Sequence, residues 1–211
     1  RSGRGAEGAS KMIRVKICGI RRIEDAMFAA ELGAAALGFV FWPSSPRFLD
    51  PEGARAIVAE LPPFVTTVGV FVDQPEGYVA DVARLLKLGA VQLHGDEVPE
   101  SYGSLSRRVI KSVAVREGQD CLAAVSAVPD GVTVLLDAHD PVKRGGTGRT
   151  IDWVQAASAA RVRPIILSGG LTAENVGDAV RTVRPYAVDI SSGVESAFGV
   201  SRHPSACHRR V

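Results

Sequence analysis

Residues 163–176 read RPIILSGGLTAENV. Within a few positions the stretch passes from an apolar run, Ile165-Ile166-Leu167, through Ser168 and two glycines into a helix-forming segment. A strand apolar on both faces is what a parallel sheet covered on both sides requires. The same pattern recurs along the chain. Val15-Lys16-Ile17 stops at Cys18, Val91-Gln92-Leu93 at His94, Val134-Leu135-Leu136 at Asp137, and Ala187-Val188 at Asp189. Parallel strands alternating with helices bring their C-terminal ends to one rim, where a (β/α)₈ barrel builds its site. Side chains able to do chemistry from five segments are therefore expected to converge on one pocket.

Working outward, short Val/Ile/Leu-rich runs predict strands at 14–18, 36–41, 66–72, 90–94, 108–114, 132–137, 164–168 and 186–190. Helices are predicted between them at 23–33, 51–60, 75–88, 97–105, 118–127, 151–160 and 172–182, several with Pro or acidic residues in the first turn. Eight strands of similar length and seven helices favour closure: an α/β fold, a single (β/α)₈ TIM barrel with an atypical or truncated last helix. An open doubly wound sheet is the alternative fold.

The bounds agree. The chain has 211 residues, near the lower limit of about 200 for such a barrel, which leaves little room for a second domain. Residues 1–11 lack periodicity and read as a leader or cloning remnant, with Met12 the expected natural start; 12–200 read as the barrel and 201–211 as an atypical tail. The net charge of +2 is spread over interleaved signs, with neither a basic stripe nor an aromatic ladder, which argues against nucleic acid as a partner. No apolar run approaches the roughly 18 residues of a membrane span. Cys18, Cys121 and Cys207 are odd in number and lack CxxC spacing, so the expectation is no disulfide framework, no metal site and a cytoplasmic location.

Residues i and i+2 on a strand share a face, so Lys16 points with Cys18, Gln92 with His94, Leu135 with Asp137, Ile166 with Ser168, and Ala187 with Asp189 and Ser191. By default a lone strand cysteine is an inert core residue. Asp137 differs, because a carboxylate ending a buried run needs a partner or a task. Lys16 needs an anion, for which Asp189 on the closing strand is the candidate, in a structural pair. Ser168-Gly169-Gly170 follows strand seven and Ser191-Ser192-Gly193 follows strand eight, the two joints where barrels commonly bind phosphate. Gly145-Gly146-Thr147-Gly148 lies after strand six. A phosphorylated small molecule is the expected ligand; the alternative is that these glycines only serve turns.

The stretches VKICGI (15–20), FWPSSPR (41–47), VQLHGDE (91–97), LLDAHDPVKRGGTGRTIDW (135–153), ILSGGLTAENV (166–176) and VDISSGVES (188–196) together resemble the phosphoribosylanthranilate isomerase family of tryptophan biosynthesis. The resemblance runs from about Ile13 to Ser196, with the motifs in the family's order. It implies an Amadori rearrangement of N-(5-phosphoribosyl)anthranilate to 1-(2-carboxyphenylamino)-1-deoxyribulose 5-phosphate, with no cofactor, by a monomer or homodimer.

Carried over by residue, the resemblance implies Cys18 as general base and Asp137 as general acid. It implies Arg47 on the anthranilate carboxylate, His94 lining the pocket, and Asp189 near the ring hydroxyls. The backbones of Gly146, Gly169, Gly170, Ser192 and Gly193 would hold the phosphate. Without the resemblance, Arg47 reads as a solvated loop charge and His94 as a structural histidine. The roles demand a carboxyl that keeps its proton against a reference pKa of about 3.9 and a thiol that loses one against about 8.5, the latter with help from a cation such as Lys16.

Two features depart from the family pattern. Arg21 stands where a small polar residue usually caps the first helix, and SRHPSACHRRV (201–211) offers no apolar stripe for a last helix over the strand eight–strand one seam. Two other functions are therefore carried forward: a related histidine-pathway sugar-phosphate isomerase, disfavoured by Cys18 where that relative has a carboxylate, and a phosphate-ligand-binding barrel inactivated by its altered C-terminus.

Overall fold

The computed structural model describes residues 12–103, 105–116, 119–138, 151–197 and 200–201. Eight parallel strands form a closed barrel: β1 (Arg14–Cys18), β2 (Ala36–Val40), β3 (Thr66–Phe71), β4 (Ala90–Leu93), β5 (Arg108–Val115), β6 (Thr133–Ala138), β7 (Ile165–Leu167) and β8 (Ala187–Ile190). Each pairs with its sequence neighbour, and β8 returns to β1 with Val15 opposite Val188 and Lys16 opposite Asp189. The closed parallel barrel read from the strand pattern is the fold, and the open sheet is excluded.

Alternate residues point inward and outward. Val68, Ala90, Ile110, Leu135, Ile166 and Ala187, one from each of six strands, make an apolar layer inside the barrel. Above it stand Lys16, Gln92, Ser112, Asp137 and Asp189, all buried. Outward-facing residues such as Leu37, Phe39, Val91 and Leu93 pack under α1 (Ile23–Glu31), α2 (Pro51–Glu60) and α3 (Glu76–Leu85). A second cluster, with Val134, Leu136, Ile165, Leu167 and Val188, lies under α4 (Cys121–Ser126), α5 (Trp153–Val162) and α6 (Val176–Val183).

Local chemistry sets the helix starts. Asp50, Asp120 and Asp152 each accept a first-turn backbone N–H of α2, α4 and α5. The first helix has Arg22, one place beyond Arg21, at its N-cap and no side-chain cap.

Two predicted helices are corrected. Among its described residues the segment 97–105 holds only a 3₁₀ turn, Pro99–Tyr102. Glu97 turns back instead: its carboxylate accepts the N–H of Asp73 at 2.7 Å and of Gly95 at 2.8 Å, while Lys111 Nζ donates to it at 3.2 Å. The helix predicted from 172 starts at Val176, because Asn175 ties 172–175 into a turn by accepting from Thr172 N and donating to Gly170 O.

After β8 come a 3₁₀ turn (Ser192–Val194) and a small antiparallel pair, β9 (Glu195–Ala197) with β10 (Val200–Ser201). Among the described residues no helix follows β8, and Val15 and Ile17 on the seam are half-buried. Residues 1–11 and 202–211, on which the leader and tail readings rest, lie outside the described residues. No helix is long and apolar enough to cross a membrane among the described residues.

Candidate active site

The C-terminal ends of β1, β4, β6 and β8 bring Cys18, His94, Asp137 and Asp189 to one rim, with Arg47 arriving from the loop after β2. Cys18 is half-buried in the barrel mouth. Burial pushes its thiol up to about 11, while the Lys16 ammonium and, more weakly, the Arg47 guanidinium pull it down. Lys16 donates to Asp189 Oδ1 at 2.9 Å, and both are buried. Burial works against the ammonium, but Asp189 and Cys18 together hold it above the ordinary lysine value.

Asp137 is 5% exposed and sits one residue before the end of β6. Its Oδ1 accepts the N–H of Ala138 at 2.9 Å, and its Oδ2 lies 3.4 Å from His94 Nε2. The other ring nitrogen of His94, Nδ1, is 2.9 Å from the Gln92 side-chain amide. His94, just past the end of β4, is thus held between the buried Gln92 of that strand and the carboxylate of Asp137. The i, i+2 alternation already placed Gln92 with His94, but nothing in the sequence marked the glutamine as its partner.

Arg47 is buried rather than a solvated loop charge. Its Nε and Nη2 donate to Glu195 Oε1 and Oε2 at 2.6 and 2.7 Å, a two-pronged pair in which both side chains are less than a tenth exposed. Glu195 follows the strand-eight glycine joint, and the sequence reading passed over it. Its only signal was an acidic residue directly after Ser192-Gly193-Val194. The pair joins the β2 loop to the segment after β8.

The two glycine joints meet. Gly169 and Gly170 have φ of 88° and 60°, the left-handed region glycine tolerates, and Asn175 Nδ2 fixes Gly170 O at 2.9 Å. A Cβ on Gly193 would overlap the carbonyl oxygen of Leu171 and approach Thr172 Cα at 3.0 Å, so only glycine lets the β8 joint close on the β7 joint. Ser192 lies in the same turn. Gly146 lies outside the described residues.

Comparison with known proteins gives the same assignment. The family described as N-(5′phosphoribosyl)anthranilate (PRA) isomerase matches residues 15–203. N-(5′-phosphoribosyl)anthranilate isomerase of Geobacter sulfurreducens is 51% identical over 190 residues, covering 89% of this chain and 92% of the relative. That of Pseudomonas putida is 50% identical over 188 residues, covering 89% and 91%. Phosphoribosyl anthranilate isomerase from Thermotoga maritima superposes with a TM-score of 0.85 at 45% identity, over 93% of this chain and 96% of that one. A solved phosphoribosyl anthranilate isomerase in complex with reduced 1-(o-carboxyphenylamino)-1-deoxyribulose 5-phosphate superposes at 0.81 with 44% identity, over 92% and 94%. With half-identical relatives across nearly its whole length and the barrel they share, the chain belongs to the N-(5′-phosphoribosyl)anthranilate isomerase family.

Proposed function

We propose that this chain catalyses the Amadori rearrangement of N-(5′-phosphoribosyl)anthranilate to 1-(2-carboxyphenylamino)-1-deoxyribulose 5-phosphate in tryptophan biosynthesis. The observation that carries the reading is the placing of a thiol on β1 and a carboxyl on β6 at one rim, beside paired glycine joints after β7 and β8. The ligand named for the solved relative combines a carboxyphenyl amine, a ribulose chain and a 5-phosphate. A substrate of that shape asks for a carboxylate site at one end and an anion cradle at the other.

The reaction is an internal redox shift that needs only proton transfers, with no cofactor. Asp137 gives its proton to the ribose ring oxygen as the C1′–O bond breaks, leaving a Schiff base. Cys18, as thiolate, takes the C2′ proton, and the electron pair moves into an enolamine that tautomerises to the ketone. Asp137 ends as carboxylate and Cys18 as thiol, so one proton must pass between them, by solvent or protein, before the next turnover. His94 orients Asp137, and Asp189 faces the sugar hydroxyls. Gly169, Gly170, Ser192 and Gly193 offer the phosphate their backbone N–H groups. Cys18 and Cys121 are unpaired, which suits a reducing compartment, and we place the enzyme in the cytoplasm.

The test is fluorescence of freshly generated substrate. Its anthranilate-derived signal is expected to decay with first-order kinetics in proportion to enzyme. A bound but undiminished signal would leave only a ligand-binding barrel, and turnover of a histidine-pathway bisphosphate in its place would overturn the substrate assignment.

Arg47→Ala should raise the KM of substrate about ten- to a hundredfold, the worth of a charge-assisted pair at about 1.5–3 kcal/mol, while inorganic phosphate protects against thermal unfolding as in wild type. The Arg47→Ala/Glu195→Gln double variant, which removes both charges of the pair, controls for strain left by a buried glutamate. Equal loss for phosphate and substrate would place Arg47 elsewhere in the mechanism.

A further inference from the structure

Among the described residues Lys16 is the most buried cation of the barrel interior, 3% exposed, and the proton transfers proposed above do not pass through it. A structural lysine would explain its pairing with Asp189, which stands opposite it in the β1–β8 register and accepts from Nζ at 2.9 Å. It does not explain where the stem lies. Lys16 and Cys18 share the inward face of β1, and the Lys16 charge pulls the Cys18 thiol down against the effect of burial. On the other side of Cys18, directly paired with it on β2, is Gly38. A Cβ at Gly38 would fall 2.9 Å from Cys18 Sγ and 3.2 Å from Lys16 Cε. Both approaches are too close for a side chain to be added without moving one of them. The missing side chain of Gly38 is therefore the space in which the thiol and the lysine stem lie together.

We propose that Lys16, pinned by Asp189 and admitted by Gly38, is the positioning residue against whose charge the Cys18 thiolate forms. The inference rests on the reading of Cys18 as general base and adds how that base is made. Ionisation breaks only the S–H bond and sends the proton to solvent, leaving a thiolate beside an ammonium. When the thiolate takes the substrate C2′ proton it returns to a neutral thiol and the trio to a neutral Lys16–Asp189 pair; in the thiolate state the trio carries one net negative charge, and Lys16 has a counter-ion in both states.

The charged groups facing Cys18 are Lys16 from β1, Asp189 from β8 and Arg47 from the β2 loop. Asp189 also feels Asp137 and His94. Of the two cations, Arg47 is committed to Glu195 through two hydrogen bonds, and its pull on the thiol is the weaker. Asp189 opposes thiolate formation, so Lys16 and Asp189 should act on Cys18 with opposite signs.

That difference in sign is the test. Alkylation of Cys18 by iodoacetamide in the folded protein follows the thiolate fraction, and mass spectrometry of the Cys18 peptide separates it from Cys121 and Cys207. In Lys16→Met the alkylation–pH profile is expected to move up by about one unit or more. At fixed pH the rate falls about threefold or more, because higher intrinsic nucleophilicity offsets part of the tenfold loss of thiolate. In the same variant kcat should fall while KM changes by less than about threefold, since Lys16 is buried and is given no part in holding the substrate. In Asp189→Asn, which keeps the cation and an acceptor for it, the profile should move down.

A folded Lys16→Met with the wild-type profile overturns the proposal. Should Lys16→Met fail to fold, an unchanged or raised profile in Asp189→Asn overturns it alone. Full activity of Cys18→Ala would instead remove the general-base reading, whatever the alkylation profiles show.

Discussion

Asp137→Asn and Cys18→Ala are each expected to lower kcat by about 10²-fold or more, the usual worth of a positioned acid or base. KM should stay within a few-fold of wild type, because neither group holds the substrate's two anions. The asparagine keeps the shape of Asp137 and its acceptor for the Ala138 N–H, so the fold should survive with its melting temperature nearly unchanged. What it loses is the proton that ring opening requires. Cys18→Ala removes a half-buried thiol that neither caps a helix nor forms a disulfide, and the void opens on the barrel mouth rather than the core. Cys18→Ser is the sharper variant. A hydroxyl is far less acidic than a thiol, so the serine should be as inactive as the alanine despite its near-identical size. The double variant should lose little more than the worse single, as expected of residues serving one sequence of proton transfers. The measurement is single-turnover decay of substrate fluorescence, and wild-type-like decay in either single variant would remove that residue from the mechanism.

How much of this site could be read from the sequence follows from which interactions are local. The strand ends were legible because apolar runs buried on both faces leave a simple signature, and alternation then fixed which side chains share the barrel interior. Lys16 facing Asp189 was legible for the same reason, once strand eight was taken to close on strand one. Glu97, Asn175 and Glu195 were not. Each works by folding back on a loop: Glu97 on the backbone of Asp73 and Gly95, Asn175 on Thr172 and Gly170, and Glu195 across 148 positions to Arg47. Loop carboxylates and amides have no periodicity to betray them. The predicted helix at 97–105 failed on the same point, because its acidic first residue reads as a helix start and serves as a loop tie instead.

Gly193→Ala should raise the KM of substrate about 10²-fold and abolish thermal protection by inorganic phosphate. The added Cβ overlaps Leu171 O, a backbone atom that cannot swing aside as a side-chain end would. Leu171 is buried and follows directly on Gly170, whose carbonyl is tied to Asn175, so the β7 joint has little freedom to retreat. The two joints must separate instead, and N–H groups from both then miss a phosphate that needs them together. Losing one or two charge-assisted hydrogen bonds at about 1.5–3 kcal/mol each accounts for the KM change. Forcing the atom in should also cost about 1–3 kcal/mol of stability, or roughly 2–4 °C of melting temperature per kcal/mol for a chain of this size. Gly177→Ala is the control. It lies on α6, where the new Cβ meets only the Arg181 side chain, 3.3 Å away at its nearest atom. There alanine should leave KM unchanged and, by helix propensity, match or slightly raise the melting temperature. Saturating phosphate at about 100 times its Kd stabilises a binding protein by about 2.7 kcal/mol, a shift readily seen by calorimetry. If Gly193→Ala keeps both that shift and the wild-type KM, the phosphate is held elsewhere than the β7–β8 joints.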